Sequence, residues 1–130
     1  MGLRVTRAAL ERMRAAARAS APEECCGLLL GQEAVEEAMP AANMAPDPRR
    51  HFEIDPQALI DAHRAARAGG PPVIGYYHSH PAGPAAPSAT DRAMASGDGR
   101  VWAIVGEGGV TFWRDDRDGF APLPYTVEDR

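Results

Sequence analysis

The sequence predicts an α/β or α+β fold, in which helices pack against a β-sheet. Two observations support this prediction. Segments with helical periodicity alternate along the chain with short apolar segments that are typical of strands. The chain has 130 residues, of which 45% are hydrophobic and 25% charged, and this suits a globular protein with one core. We therefore expect residues 1–130 to form a single domain.

The first half of the chain predicts one helix and two strands. The helix begins after Thr6, a residue type that caps helix N-termini, and it places Leu10 and Met13 on one apolar face. It runs to about Ala19, and Pro22 ends it. The segments that follow are a buried strand over Glu24–Gly31, a weaker strand over Val35–Met44 and a proline-rich loop over Ala45–Arg50.

The second half predicts two further helices among more strands. Asp55 caps the longer helix, Pro56 takes its first position, and Gly69-Gly70 stops it after Ala68. The short helix opens at Ser88–Asp91, after a stiff loop over Pro81–Pro87. The predicted strands are His51–Ile54, Val73–His78, a hairpin of Val101–Val105 and Val110–Trp113 around Glu107-Gly-Gly, and an edge strand over Phe120–Val127.

Charge and cysteine content exclude several classes of protein. The 14 basic residues, all arginine, and the 18 acidic residues give a net charge of −4, which argues against nucleic acid as a partner. No apolar stretch approaches the ~18 residues of a membrane span, so we expect no membrane partner either. Cys25 and Cys26 are adjacent and unsuited to a relaxed disulfide, which indicates a reducing compartment. Because the N-terminal segment has no apolar run typical of a signal peptide, we expect a cytoplasmic protein.

The most informative segment is His78-Ser-His-Pro81 together with Ser88-Ala-Thr-Asp91. Residues two apart on an extended chain point the same way, so His78 and His80 can aim two imidazoles at one point. Asp91 opens a helix that the intervening loop can turn back toward them. Two histidines and one aspartate have the composition of a catalytic zinc centre that keeps its fourth position for water. Alternatively, Ser88 and Asp91 form a helix capping box, in which Asp91 only satisfies a backbone N–H.

The full pattern, H-S-H-P-x6-S-x2-D, resembles the signature of the JAMM (MPN+) zinc metalloprotease family, of the short stand-alone bacterial type. The segment Glu24-Cys-Cys-Gly-Leu-Leu-Leu-Gly31 is similar to the family's Glu-x-Cys-Gly strand. The lead-in Gly75-Tyr-Tyr to His78 is also similar, although Tyr76 stands where Trp is common. The resemblance covers essentially the whole chain. It implies the MPN (cytidine-deaminase-like) α/β fold, with a mixed central sheet flanked by helices.

The resemblance also implies a role for each site residue. His78, His80 and Asp91 match the ligands of Zn²⁺. Glu24 matches the general base that assists attack of the zinc-bound water and then protonates the departing amine. Ser88 matches the serine that stabilises the oxyanion, a role that can coexist with helix capping. Glu23 is not preferred as the base because it would face the other side of the strand.

The activity implied by the resemblance is that of a peptidase or isopeptidase. Its substrate would be the bond after the C-terminal tail of a ubiquitin-like or sulfur-carrier protein. A tail ending in Gly-Gly would fit a narrow cleft as an added strand. Only Pro71-Pro72 separates the second helix from the zinc strand, so the long insertions with which eukaryotic members select ubiquitin linkages are not expected. The sequence does not specify which ubiquitin-like or sulfur-carrier protein is cleaved, nor the oligomeric state.

Other functions are compatible with some of the same residues. A thiol hydrolase would pair Cys25 or Cys26 with His78, and alkylation rather than chelation would stop it. Cys26 shares the Glu24 side of the predicted strand, although a free cysteine is more often a small buried apolar residue. A non-catalytic MPN scaffold would lack zinc ligands, all of which this sequence has. A zinc nucleoside deaminase is disfavoured because the P-C-x-x-C half of its signature is missing.

Overall fold

A computed structural model describes residues 2–130, and in that range a mixed β-sheet carries helices on both faces. The α/β class and the flanked mixed sheet expected from the sequence are therefore confirmed. The elements, in chain order, are β1 (Leu3–Thr6), α1 (Arg7–Ser20), β2 (Cys26–Leu30), β3 (Glu37–Ala41), α2 (Pro56–Arg67), β4 (Val73–Pro84), α3 (Ala89–Met94), β5 (Val101–Glu107), β6 (Gly109–Asp116), β7 (Gly119–Leu123) and β8 (Tyr125–Glu128).

The central sheet has the strand order β3-β2-β4-β5-β6-β7. Only β4 and β5 pair in parallel, and the other neighbours are antiparallel. The predicted hairpin over β5 and β6 is confirmed. The strand that carries the two histidines, β4, lies between β2 and β5, so the candidate site is built on a central strand.

Each face of the sheet has its own apolar core. Leu29 and Tyr77 belong to the cluster beneath α1, whereas Leu28 and Tyr76 belong to the cluster beside α2. Neighbouring residues of a strand point to opposite faces. Because β2 is covered on both faces, all five of its residues are buried, and this explains its uninterrupted apolar sequence.

The helices begin where the capping residues predict. The Thr6 side chain accepts a hydrogen bond from the N–H of Ala9, and α1 follows directly. The Asp55 side chain accepts from the N–H of Gln57, with Pro56 at the first helical position. The longest of the helices described for residues 2–130 has 14 residues, and none is long and apolar enough to cross a lipid bilayer.

Residues 51–54 do not form the predicted strand. Ile54 makes only an isolated bridge with Asn43. The Asn43 side chain forms hydrogen bonds with the backbone of this segment instead. Its Oδ1 accepts from the N–H of Glu53, and its Nδ2 donates to the carbonyl of His51. A side chain thus occupies hydrogen-bonding groups that a ladder would need, and the strand prediction was wrong.

The segment Pro81–Pro87 is not wholly the loop that its prolines predict. β4 continues to Pro84, which pairs with Glu107 after a register shift that begins at Ser79. The irregular stretch between Ser79 and Pro84 contains Pro81, which has no N–H to donate to a neighbouring strand. Irregularities of this kind are where a β-sheet tolerates proline.

The C-terminal segment forms two strands rather than one. Pro124 separates β7, an edge strand beside β6, from β8. β8 pairs in parallel with β1, a strand that the sequence does not predict. The two strands lie more than a hundred residues apart along the chain, so no local pattern indicates their pairing.

Candidate metal centre and active site

β4 and α3 bring His78, His80 and Asp91 into one cluster. The Nε2 atoms of the two histidines are 3.1 Å apart. Asp91 is the third residue of α3, and its Oδ1 lies 3.0 Å from His78 Nε2 while its Oδ2 lies 3.2 Å from His80 Nε2. Within residues 2–130 this is the one group of three or more His, Cys, Asp or Glu side chains whose ligand atoms lie within 4.8 Å of one another.

The spacing of these atoms fits a tetrahedral metal ion. Zinc binds imidazole nitrogen at about 2.0–2.1 Å, and tetrahedral angles then separate two ligand atoms by about 3.3 Å. The two histidine nitrogens are 3.1 Å apart, and the two carboxylate oxygens of Asp91 lie 3.0 and 3.2 Å from one nitrogen each, so all of these distances are close to that value. His80 Nδ1 lies 2.9 Å from the carbonyl oxygen of Pro84, so Nδ1–H donates there and Nε2 is the ring nitrogen that faces the cluster. Two nitrogen donors and one carboxylate therefore fit a metal site.

The pKa shifts of Asp91 and His78 also suit metal binding. Burial raises the pKa of Asp91, but hydrogen bonds from His78 and His80 outweigh burial and hold that pKa well below its usual range. Burial is the dominant effect on His78 and lowers its pKa. Burial lowers the pKa of His80 too, but its hydrogen bonds with Asp91 and Pro84 outweigh burial and raise it. At neutral pH Asp91 is ionised and His78 is neutral, which are the forms that bind a metal, whereas the raised pKa of His80 favours a protonated ring that must release its Nε2 proton to bind one.

Two aromatic rings hold the His78 imidazole in place. The ring of Phe52 stacks on it with centroids 4.2 Å apart, and Trp102 meets it edge-on at 5.7 Å. His78 itself has no exposed surface. Phe52 was not among the residues that the sequence nominates for the site. A stacking contact between residues 26 apart along the chain depends on tertiary packing and has no local sequence signal.

The candidate base Glu24 is fixed opposite His80. β2 pairs with β4 so that Cys26 faces His78. The Cys25 N–H donates to Ser79 Oγ at 2.8 Å, and the Ser79 N–H donates to the Cys25 carbonyl at 3.1 Å. The same antiparallel alignment, continued by one residue, sets Glu24 across from His80.

Glu24 is also shielded from water, unlike its neighbour. Glu24 is 8% exposed, whereas Glu23 is exposed to solvent. Asn43 Nδ2 donates to the Glu24 carbonyl at 3.0 Å and so ties this segment down. Burial raises the pKa of Glu24 to about 7, although the nearby His80 lowers it. A carboxyl group with that pKa can both take up and release a proton near neutral pH.

Ser88 and Asp91 form the capping box that the sequence left open as an alternative. Ser88 Oγ accepts the N–H of Asp91 at 3.0 Å, and Asp91 Oδ2 accepts the N–H of Ser88 at 2.9 Å. The same carboxylate contacts both histidines. Capping and membership of the cluster therefore coexist, and the capping box orients the Asp91 carboxylate.

The two cysteines are buried apolar neighbours of the site. Cys25 lies in the core beneath α1, while Cys26 packs on the opposite face with its Sγ 3.7 Å from the Ala41 carbonyl. Burial raises the pKa of both thiols, and that of Cys26 reaches about 12. Both are free, protonated thiols at neutral pH. A nucleophilic cysteine needs a lowered pKa, so the thiol-hydrolase alternative loses its chemical basis.

Comparison with known sequences finds one matching family and several similar proteins. The sequence profile described as prokaryotic homologs of the JAB domain matches residues 6–116. A desampylase of Haloferax volcanii is 37% identical over 123 residues, which cover 92% of this chain and 88% of that protein. A probable TtuB-protein conjugate cleaving protease of Thermus thermophilus is 42% identical over 89 residues. That match spans 68% of this chain and 60% of the Thermus protein.

Solved structures show the same fold. The solution structure of a protein from Desulfitobacterium hafniense matches with a TM-score of 0.87 and 30% identity, over 98% of this chain and 94% of that one. A JAB1/MPN domain protein of Archaeoglobus fulgidus matches with a TM-score of 0.67 and 19% identity, over 98% of each chain. The second likeness concerns the fold alone, and it confirms the MPN fold expected from the sequence.

We expect the folded protein to resist thiol alkylation. Buried, protonated thiols react slowly because the thiolate is the nucleophile. Mass spectrometry after iodoacetamide treatment at mildly alkaline pH should show neither Cys25 nor Cys26 modified. The same treatment in concentrated guanidinium chloride should modify both. Rapid labelling of either cysteine in the folded protein would restore the thiol alternative.

Proposed function

The chain belongs to the family of prokaryotic homologs of the JAB domain, and we propose that it is a zinc-dependent peptidase of the JAMM type. Its substrate would be the bond after the C-terminal tail of a ubiquitin-like or sulfur-carrier protein. The observation that carries this proposal is the convergence of His78, His80 and Asp91, with the buried carboxyl group of Glu24 set across from His80.

The names of the relatives support a protein conjugate as the substrate. One relative is a desampylase and another is a probable protease for conjugates of TtuB with protein. The first of these aligns with 92% of this chain, including the whole of the candidate site. Free cysteines in the described chain suit a reducing compartment, and we propose a cytoplasmic location on that ground.

His78, His80 and Asp91 would hold the zinc ion. A bound zinc ion supplies a Lewis acid that polarises a carbonyl oxygen and makes water more acidic. The chain contributes the fixed ligand geometry: the Pro84 carbonyl orients the His80 ring, Phe52 orients the His78 ring and the capping box orients Asp91. Such positioning groups set both metal affinity and ligand orientation.

Glu24 would move the proton during hydrolysis. Its carboxylate takes a proton from the attacking water and passes it to the nitrogen of the departing amine, so that one residue acts first as base and then as acid. Its pKa of about 7 suits both directions of transfer near neutral pH. Its burial keeps bulk water away from the transferred proton.

Ser88 would stabilise the developing negative charge on the carbonyl oxygen. In the capping box its Oγ acts as an acceptor, toward the N–H of Asp91. The hydroxyl proton is therefore available for donation to a second group. A donor at this position beside the cluster would act in the manner of an oxyanion hole.

An apolar groove next to His78 suits the C-terminal tail of the ubiquitin-like or sulfur-carrier substrate. It has a volume of about 320 Å³ and lies between α2 and the face of β4 and β5. Phe52 and Trp102, the rings that contact His78, form part of its wall. Tyr76 and the half-exposed Met94 continue it away from the site. A bound tail in this groove would lead its C-terminal carbonyl toward the cluster.

Replacing the proposed base should abolish most turnover without loss of metal. We expect Glu24→Gln to bind zinc and melt like the wild type, but to cleave C-terminally extended TtuB about 10²–10⁴-fold more slowly. Glu23→Gln, on an exposed neighbour, is the control and should cleave at the wild-type rate. Full activity in Glu24→Gln would contradict the assignment of the base.

Ser88→Ala should affect both stability and turnover. Loss of the helix cap should reduce the free energy of unfolding by about 1 kcal/mol. Loss of the oxyanion donor should reduce kcat by about 10²–10³-fold. Thermal melting of the zinc-loaded variant and steady-state turnover separate the two effects, and Ser88→Thr, which keeps the hydroxyl, should recover both. A variant that melts lower yet turns over normally would leave Ser88 as a cap only.

A further inference from the structure

The candidate base Glu24 is held through its backbone rather than through its side chain. Glu24 precedes β2, which begins at Cys26, so it is not paired in the ladder between β2 and β4. Burial and the charges of His80 and Asp91 act on its carboxyl group, but among residues 2–130 no hydrogen bond restrains that group. The place of the carboxyl group therefore depends on how the Glu24 backbone is fixed.

The loop that follows β3 binds both backbone groups of Glu24. The Glu24 N–H donates to the Pro48 carbonyl at 2.8 Å, and the Glu24 carbonyl accepts from Asn43 Nδ2 at 3.0 Å. Pro48 contributes only a main-chain carbonyl, which every residue type has. The contact with Asn43 requires a side-chain donor, so it depends on the residue type at this position.

Asn43 uses the whole of its amide group. Its Nδ2 donates a second hydrogen bond, to the His51 carbonyl at 3.0 Å. Its Oδ1 accepts from the N–H of Ala45 at 3.0 Å and from the N–H of Glu53 at 3.1 Å. A side-chain amide has two N–H donors and an oxygen with two lone pairs, so all of its capacity is used. Turning the amide over would set its oxygen against two carbonyls and its nitrogen against two N–H groups, so one orientation fits.

The second Nδ2 contact reaches the segment that fixes one ligand of the cluster. His51 precedes Phe52, whose ring stacks on the His78 imidazole with centroids 4.2 Å apart. One amide group thus joins the backbone of Glu24 to the segment that carries the stacking ring. A side chain without an N–H donor would leave the carbonyls of Glu24 and His51 unlinked.

We propose that Asn43 is a positioning residue for the hydrolysis: its Nδ2 fixes the Glu24 backbone and so keeps the carboxyl group opposite His80. This inference rests on the proposed function and adds a residue to it. Asn43 acts through Glu24 and takes no part in the proton transfer itself. Its effect on the rate can still be large, because a misplacement of about 1 Å at a reacting group can cost about 10²-fold.

Asn43→Asp separates the two halves of the amide. The aspartate keeps an oxygen toward the N–H groups of Ala45 and Glu53, but it replaces the two N–H donors by a second oxygen. We expect kcat for C-terminally extended TtuB to fall about 10–100-fold. KM should stay within about twofold of the wild-type value, because the substrate groove is untouched. Asn43→Ala, which lacks the donors and adds no charge, should lower kcat by a similar factor.

Two controls separate positioning from a general loss of stability. Elemental analysis should find one zinc per chain in both Asn43 variants, and circular dichroism should show the wild-type secondary structure. Thr6→Ala removes the cap of α1, so it should melt at a lower temperature and keep the wild-type kcat. Wild-type kcat in Asn43→Asp, or an equal loss of kcat in Thr6→Ala, would overturn the proposal.

A double-mutant cycle tests whether Asn43 acts through Glu24. The rate is measured under single-turnover conditions with excess enzyme, so that the slow Glu24→Gln variant can be followed. Adding Asn43→Asp to Glu24→Gln should lower that rate by less than about twofold, because no carboxyl group is left to position. A residue that supports the site in general would cost the same factor in both backgrounds. The full 10–100-fold loss in the Glu24→Gln background would therefore overturn the proposal.

Backbone hydrogen exchange measures the positioning without turnover. In zinc-loaded, ¹⁵N-labelled Asn43→Asp, the N–H groups of Glu24 and Cys25 should exchange about tenfold faster than in the wild type. The N–H groups of Ala45 and Glu53 should keep their wild-type rates, because their acceptor remains. Unchanged exchange at Glu24 and Cys25 would overturn the inference while the peptidase function stands. Cleavage of no probe by the wild type would instead overturn the proposed function, and the exchange rates alone would then decide whether Asn43 holds Glu24.

Discussion

The antiparallel pairing of β2 with β4 is the constraint on which the site depends. It aligns Cys26 with His78, and the reciprocal hydrogen bonds of Cys25 with Ser79 carry the alignment past the end of β2. Glu24 is thereby held opposite His80 without being part of a regular strand. A slip of one residue would send the Glu24 side chain to the other face of the sheet. Burial of β2 on both faces makes such a slip costly, because every core side chain of the strand would change sides.

The second requirement is the short helix α3, which brings in the carboxylate. Six residues form too short a helix to be stable by themselves. The capping box supplies two hydrogen bonds at its first turn, and the buried carboxylate of Asp91 anchors that turn to the histidines. A second buried carboxylate, Asp115 on β6, accepts the N–H groups of Ser96 and Gly97 and so fixes the segment that leaves α3. Both ends of the helix are thus tied to the sheet, and the Asp91 carboxylate keeps one position.

Local chemistry in the sequence predicts much of this structure. Thr6 and Asp55 mark helix starts because their short side chains can accept a hydrogen bond from the backbone N–H groups just ahead of them. The spacing of His78, His80 and Asp91 indicates a cluster because a strand and a capped helix have fixed periodicities. Contacts between distant segments have no such signal. The β1–β8 pairing, the stacking of Phe52 on His78 and the replacement of the 51–54 ladder by the Asn43 side chain all depend on tertiary packing.

Metal content is the measurement that tests the account most directly. The protein is stripped with a chelator, reloaded with one equivalent of zinc, desalted and analysed for elements, together with His78→Ala and with His63→Ala, a control on the partly buried face of α2. We predict one zinc per chain in the wild type and in His63→Ala, and almost none in His78→Ala, because Asp91 and His80 alone hold zinc poorly. Circular dichroism should show that the metal-free variant keeps its secondary structure. Stoichiometric zinc in His78→Ala would contradict the ligand assignment and the mechanism built on it.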